Sequence, residues 1–177
     1  MDEFNTTEPI GSIYAHSFSL RHPMSKKRKK LVNFICYCIN PNHYHFILEQ
    51  IIDGGIERFM QKLGDGYTKY FNYKEKRSGS LFQGRFKSTH INSNEYLLHL
   101  SSYVNLNNRV HKLKLRHPMS KSSWEEHLNG KKGFCKKKVI AGQFKNCEEY
   151  KKFAENSLAG ILERKGNLKE MEDLLME

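Results

Sequence analysis

The chain has 177 residues, 38% of them hydrophobic, with thirty Lys and Arg against nineteen Asp and Glu, a net charge of +11 and a pI near 9.5. That size and apolar content suit one domain with an appended segment, and the basic surplus points to a polyanionic partner, most simply nucleic acid, against the plainer reading of charge that only aids solubility. No apolar run approaches the ~20 residues of a membrane span and the N-terminus lacks a basic-then-apolar secretory pattern, so a cytoplasmic location is expected and a membrane partner is not.

The opening segment, 1–30, is polar, contains Pro and Gly, and closes on the basic run Lys26–Lys30; it reads as a loop or frayed helix leading into the first strand. Its heptapeptide LRHPMSK, Leu20–Lys26, recurs at Leu115–Lys121. Seven residues are too few for a structural repeat, which leaves coincidence or a copied loop.

Leu31–Gln50, LVNFICYCINPNHYHFILEQ, reads as two apolar strands joined by a tight turn at Asn40-Pro41-Asn42, because Pro presets φ and Asn tolerates the left-handed region. Strand side chains alternate faces, so His43 and His45 project to one side and Tyr44 and Phe46 to the other. Two imidazoles side by side are half of a metal site, or simply a pair of exposed strand histidines. The four cysteines, Cys36, Cys38, Cys135 and Cys147, lack paired C-x-x-C spacing and read as free thiols. A zinc site built from Cys36, Cys38, His43 and His45 is the alternative to buried thiols that act as small hydrophobes.

After a short loop, Ile56, Phe59, Met60, Leu63, Tyr67, Tyr70 and Phe71 recur at helical spacing, an apolar core face weakened in its middle turn by Gly64 and Gly66. NYKEKRSG, Asn72–Gly79, is a charged loop. Ser80–Ile91 then reads as a third strand with Arg85 and Lys87 on one face, flanked by Phe82 and Phe86. Such residues grip a phosphate backbone while rings pack or stack on bases, or are ordinary solvated positions. Asn92 and Glu95 resemble a capping box, and Leu97, Leu100 and Val104 form the buried stripe of a helix running to about Asn108. On it Tyr103 and Asn107 are four apart and face the same way. A divalent cation held by His43, His45 and Asn107 would act as Lewis acid and template for attack by the Tyr103 hydroxyl on a phosphodiester; without the histidines, Tyr103 reads as a packing residue.

These segments together resemble the HUH-type single-tyrosine transposases, in particular the REP-associated tyrosine transposases of bacteria. That family carries an N-H-hydrophobe-H segment after a strand and a P-N turn, as in NPNHYHFILE here. It continues with a segment like GSLFQGRFKS and a helix whose tyrosine is followed four residues later by a polar metal ligand, as in YLLHLSSYVNLNN. The resemblance covers roughly Asp2 to Trp124. It implies that His43, His45 and Asn107 bind Mg2+ or Mn2+ and that Tyr103 attacks single-stranded DNA, leaving a 5′-phosphotyrosine and a free 3′-hydroxyl. The family commonly has Asn-Pro where this chain has Asn107-Asn108, and it carries a further strand ahead of the point resembling MDEFNTTEPIG.

The expected fold is therefore α+β, an antiparallel sheet with helices mainly on one face, a ferredoxin-like HUH domain over 1–128 that lacks the family's first strand. Trp124 would anchor the segment leaving the core, and 129–177 would be a basic linker and C-terminal helical arm outside the catalytic unit. Loss of a strand should leave unpaired backbone groups along the sheet and a marginally stable protein. The function expected is that of a transposase or nickase-ligase acting on single-stranded, hairpin-forming DNA, as a monomer or homodimer. The alternative is a truncated, non-catalytic DNA-binding remnant. A replication or conjugation nickase with the same chemistry would normally need a larger chain with further domains.

Overall fold

The computed structural model describes residues 1, 4–8, 29–110, 120–130 and 133–174, with side chains through Arg164. The segment 9–28 and residues 111–119 lie outside the described residues, and with them the reading of the opening loop, one copy of LRHPMSK and most of the other.

Val32–Ile39 (β1) and Tyr44–Gln50 (β2) form the hairpin expected from their aromatic and β-branched residues, with the Asn40 N–H donating to the His43 carbonyl (2.8 Å) across the turn. The third strand, Lys121–Ser122 (β3), pairs antiparallel with β1, placing Ser122 opposite Cys38 and Lys121 opposite Ile39, so the sheet order is β2-β1-β3. The protein is α+β with a three-stranded antiparallel sheet. Ser80–Ile91, expected as the third strand, is irregular. Just ahead of it and at its start, polar groups close local turns: Asn72 Nδ2 donates to Gly79 O (2.8 Å), Arg77 Nη2 to Ser80 O (3.1 Å) and Ser80 Oγ to Phe82 O (2.7 Å). Gly79 sits at φ +92°, a backbone region hostile to a regular strand.

The helices are Gly55–Lys74 (α1), Asn94–Asn105 (α2), Asn107–Val110 (α3), Trp124–Leu128 (α4), Lys138–Ala141 (α5) and Cys147–Leu174 (α6). The chain divides into two compact units, one of residues 1–33 and 49–89, the other of residues 34–48 and 90–177.

In the first unit α1 is unbroken across Gly64 and Gly66. Gly66 has a packing reason, since a Cβ there would run into the Phe4 ring. The expected core stripe is only half realised: Phe59 and Met60 are buried, whereas Tyr67 and Tyr70 are nearly half exposed. Lys62 Nζ holds the N-terminal segment along α1 by donating to the Thr6 and Glu8 carbonyls (2.6 and 2.7 Å).

In the second unit Ile35, Cys36, Cys38 and Ile47 of the hairpin pack with Val104, Leu106, Trp124, Ile140, Tyr150 and Ala154. Trp124 is thus a core residue. Helix α2 is capped by Ser93, whose side chain accepts from Tyr96 N (3.2 Å); the cap lies one residue beyond the expected Asn92, because Ser93 is the residue in extended conformation before the first turn. Helix α6 belongs to this unit and packs on α2 through the buried Tyr150 and Ala154, so the segment read as an arm outside the core supplies part of it.

The edge of β1 away from β2 is satisfied by several short segments rather than by one long strand. Asn5 accepts from the Leu31 and Val32 N–H groups (2.9 and 3.0 Å) and donates to Val32 O (2.8 Å). Lys136 N donates to Phe34 O (2.7 Å), His127 Nε2 to Ile35 O (3.1 Å), and Ser123 exchanges bonds with both Tyr37 backbone groups (Tyr37 N to Ser123 Oγ and Ser123 N to Tyr37 O, each 2.9 Å). Beyond them β3 pairs with Cys38 and Ile39. At these positions side chains and a two-residue strand take the part of a ladder.

Asn5→Ala should destabilise the protein by about 2–4 kcal/mol, since three backbone groups are deprived of a buried partner at once; an unfolding midpoint in urea equal to that of the parent would refute the role given to Asn5. His127 is buried, its Nδ1 has no partner among the described residues, and burial holds its imidazole below the ordinary value of about 6.5. In the unfolded chain the ring takes up its proton near that ordinary value, whereas the folded protein resists. The stability this group contributes is therefore full above about pH 6.5 and is lost as the pH falls toward the folded value. His127→Gln, which keeps an N–H for Ile35 O, should flatten the decline in unfolding free energy between pH 7 and pH 5. Parallel pH profiles for the two proteins would show that His127 is not responsible.

Candidate active site

The β1–β2 turn and the end of α2 meet in the second unit. His43 stands just before β2 and His45 within it, their ring centroids 5.3 Å apart, so the period-two alternation places both imidazoles together as expected. Tyr103, on the last full turn of α2, lies edge-on to His45 with centroids 5.6 Å apart and an interplanar angle of 71°. Asn107 is fully buried and its Oδ1 lies 3.0 Å from His43 Nε2. The four residues singled out in the sequence are therefore one cluster. Tyr103 and Asn107 do not, however, share one continuous helix. Helix α2 ends at Asn105, Leu106 (φ −107°, ψ 13°) turns the chain with its side chain in the core, and Asn107 opens α3.

The electrostatics around His43 are specific. Its Nδ1 lies 2.7 Å from Asn42 Oδ1, an oxygen that only accepts, which assigns the proton to Nδ1 and leaves Nε2 with a lone pair. That lone pair and Asn107 Oδ1 are both electron-rich and only 3.0 Å apart. Asn40, absent from the sequence-derived set except as a turn residue, relieves the repulsion: its Nδ2 lies 2.8 Å from His43 Nε2 and 2.9 Å from Asn107 Oδ1. The Asn40 donation holds the Asn107 amide with its oxygen toward the cluster, while Asn107 Nδ2 is buried without a partner among the described residues.

No protein-family model, curated protein or solved structure matches the chain.

A divalent cation fits the donor set at His43. Neighbouring ligands in an octahedral shell with bonds of about 2.1 Å lie about 3.0 Å apart, which is the separation of His43 Nε2 and Asn107 Oδ1; the carboxamide oxygen suits Mg2+ or Mn2+, and the imidazole suits a divalent transition metal better than it suits Mg2+. His45 is the adjacent imidazole that would complete the expected set. Among the described residues no three His, Cys, Asp or Glu side chains converge in a way that could hold a metal, so the fit depends on the carboxamides. The zinc alternative with Cys36 and Cys38 is accordingly not assembled: Cys36 contacts His127 Nε2 (3.6 Å) and Asn105 Nδ2 (3.6 Å), and burial pushes its thiol up to about 12. Burial likewise raises the Cys38 thiol, whose Sγ lies 3.6 Å from Asn40 Oδ1.

What fixes the end of α2 is a buried polar network not read from the sequence. Asn105 donates to the Tyr150 hydroxyl (2.8 Å) and accepts from Ser123 Oγ, tying α2 to α6 and to the segment that edges β1. The signals in the sequence are ambiguous: Asn105 borders an apolar stripe, and Tyr150 sits in a stretch whose charge suggests a solvated arm.

Phe82, Arg85, Phe86 and Lys87 belong to the first unit, on the irregular segment 80–91. Arg85, Phe86 and Lys87 are exposed, and the half-buried Phe82 ring lies 6.3 Å from Tyr67. Without a strand the two-residue spacing of Arg85 and Lys87 no longer assigns them to a common face.

Proposed function

We propose that the protein is a transposase or nickase-ligase acting on single-stranded DNA, with Tyr103 as nucleophile and with Mg2+ or Mn2+ held by His43, His45 and Asn107. The observation that supports this most is the convergence of a phenol, two imidazoles and a carboxamide oxygen from a strand turn and a helix end, His43 and Asn107 being 64 residues apart in the chain. The reading agrees with the resemblance of those same segments to REP-associated tyrosine transposases and with the net charge of +11.

In this reading Tyr103 Oη attacks phosphorus and gives up its proton to water. The Oη–P bond forms and the P–O3′ bond breaks, leaving a 5′-phosphotyrosine diester and a 3′ oxygen that takes up a proton. Attack by a 3′-hydroxyl on the phosphotyrosine reverses the step and rejoins a strand. The cation, when bound, supplies Lewis-acid stabilisation of charge on the phosphate oxygens. His43 enters as neutral imidazole, its tautomer set by Asn42, and the packed end of α2 holds the Tyr103 ring against His45. The exposed Arg85 and Lys87, with Phe82 and Phe86, are assigned to the phosphate backbone and bases of the strand.

The test is incubation of the protein with a pool of hairpin-bearing single-stranded oligonucleotides and Mn2+, followed by denaturing electrophoresis. The parent should form a covalent adduct and Tyr103→Phe none, with DNA binding retained within a few-fold because only the hydroxyl is removed. An adduct formed by Tyr103→Phe would overturn the assignment of the nucleophile. DNA binding without any adduct in the parent would favour the non-catalytic remnant. His43→Ala and His45→Ala should each lower metal-dependent cleavage at least ~100-fold; undiminished cleavage with both replaced would remove the metal role.

Replacing both Arg85 and Lys87 with Ala should weaken binding to all single strands alike and reduce the steepness of log K against log salt by about 0.7 for each phosphate that the two side chains neutralise. A salt dependence equal to the parent's would take these two residues out of the DNA interface.

A further inference from the structure

We propose that Asn40 is itself a ligand of the divalent cation, completing with His43 Nε2 and Asn107 Oδ1 one triangular face of its coordination shell; this rests on the reading of His43 and Asn107 as ligands. The terminal atom of the Asn40 carboxamide that faces them lies 2.8 Å from His43 Nε2 and 2.9 Å from Asn107 Oδ1, and those two are 3.0 Å apart. Three mutually adjacent ligands of an octahedral Mg2+ or Mn2+ with bonds of about 2.1 Å form an almost equilateral triangle with edges of about 3.0 Å. The three side chains already have that shape.

The Asn40 side chain cannot leave the site easily. It is 5% exposed, and its backbone N–H is engaged in the turn by His43 O (2.8 Å). In the structure Nδ2 faces the cluster and donates to the two electron-rich atoms, while Oδ1 accepts from Ser120 Oγ (2.9 Å) and meets the Cys38 thiol (3.6 Å). His43 Nε2 has one lone pair, so it can accept from Asn40 or bind a cation but not both. A half-turn of the Asn40 amide about its terminal bond resolves the conflict. Oδ1 then faces the cation and Nδ2 donates to Ser120 Oγ, because a hydroxyl serves as acceptor as well as donor. Asn40 is therefore a hydrogen-bond donor without the cation and an oxygen ligand with it, and Ser120 accommodates both states.

The experiment measures Mn2+ affinity of the full chain by electron paramagnetic resonance titration, without DNA, for the parent, His43→Ala, Asn40→Leu and Asn40→Asp, each checked for folding by thermal melting. Leu fills the volume without an oxygen and should weaken Mn2+ binding at least ~10-fold. Asp presents an oxygen in either orientation and adds a negative charge, so it should bind Mn2+ more tightly than the parent. In the parent, titration with diamagnetic Mg2+ should shift the Asn40 side-chain NH2 signals as they exchange partners. If the parent binds Mn2+ and His43→Ala does not, but Asn40→Leu binds as well as the parent or better, Asn40 is only a competing hydrogen-bond donor and the proposal fails while the metal reading stands. Should Asn40→Leu not fold, failure of Asn40→Asp to tighten binding has the same force. A parent that binds no Mn2+ overturns both together.

Discussion

Strand β1 is the constraint on which the second unit, and with it the candidate site, depends. It is the central strand of its sheet, with five of its eight residues buried and none exposed, so its backbone N–H and C=O groups need partners. One edge is served by β2 through the tight turn that also positions His43 and His45. The other is served in pieces, by the Asn5 carboxamide, the Lys136 backbone, the His127 ring, Ser123 and the two residues of β3. A continuous strand satisfies such an edge with repetitive geometry and almost any side chains. A patched edge instead makes particular polar residues indispensable, because no continuous ladder stands beside each piece to replace it.

That patching also links the sheet to the site. Ser123, which holds both backbone groups of Tyr37, donates from the same hydroxyl to Asn105 at the end of α2, and Asn105 donates to Tyr150 of α6. Glu126, one turn further on, accepts from the Tyr37 hydroxyl (3.1 Å) and from Cys135 N (3.3 Å), leaving no space for a side chain at Gly133. The position of Tyr103 and Asn107 relative to the histidine turn thus rests on fully buried polar groups satisfied by one another. In a low-dielectric interior such a network specifies one arrangement strongly, since any displacement leaves an unpaired group.

Much of this is legible in the sequence where the signal is local and periodic. The hairpin follows from two apolar runs around Asn-Pro-Asn, the common side of His43 and His45 from strand alternation, and α1 and α2 from their apolar spacing. Alternation and spacing are properties of a few neighbouring residues, so they survive folding. The failures are of another kind. Ser80–Ile91 has strand-like composition, but a strand needs an edge to pair with, and that depends on segments elsewhere in the chain. The pairing found for β1 comes from Lys121–Ser122, too short to show any pattern. Tyr150 and Ala154 look like part of a charged arm because, among the described side chains of α6, only a narrow stripe is buried, and so narrow a stripe leaves a weak periodicity among Lys and Glu. Asn5 and Ser123 are invisible for the plainest reason: a polar residue in a loop reads as solvated unless the backbone it caps is known.

The break between α2 and α3 shows how the site depends on irregularity. Had α2 run on through Asn107, that side chain would lie about one helical turn beyond Tyr103 on the same face, displaced by about 6 Å along the axis. The turn at Leu106 alters this. Leu106 goes into the core, where it is almost wholly buried, and the chain re-enters helix with Asn107 buried beneath the histidine turn. The core side chain at 106 is therefore as much a determinant of the site as the polar ones: it sets the direction in which Asn107 leaves the backbone, and Asn40 and His43 meet the carboxamide oxygen there. A cluster of one imidazole nitrogen and two carboxamides within 3.0 Å of one another is stable only if opposite charge lies among them. Asn40 supplies that as a partial charge on its N–H, and a divalent cation held by the same side chains would supply it in full.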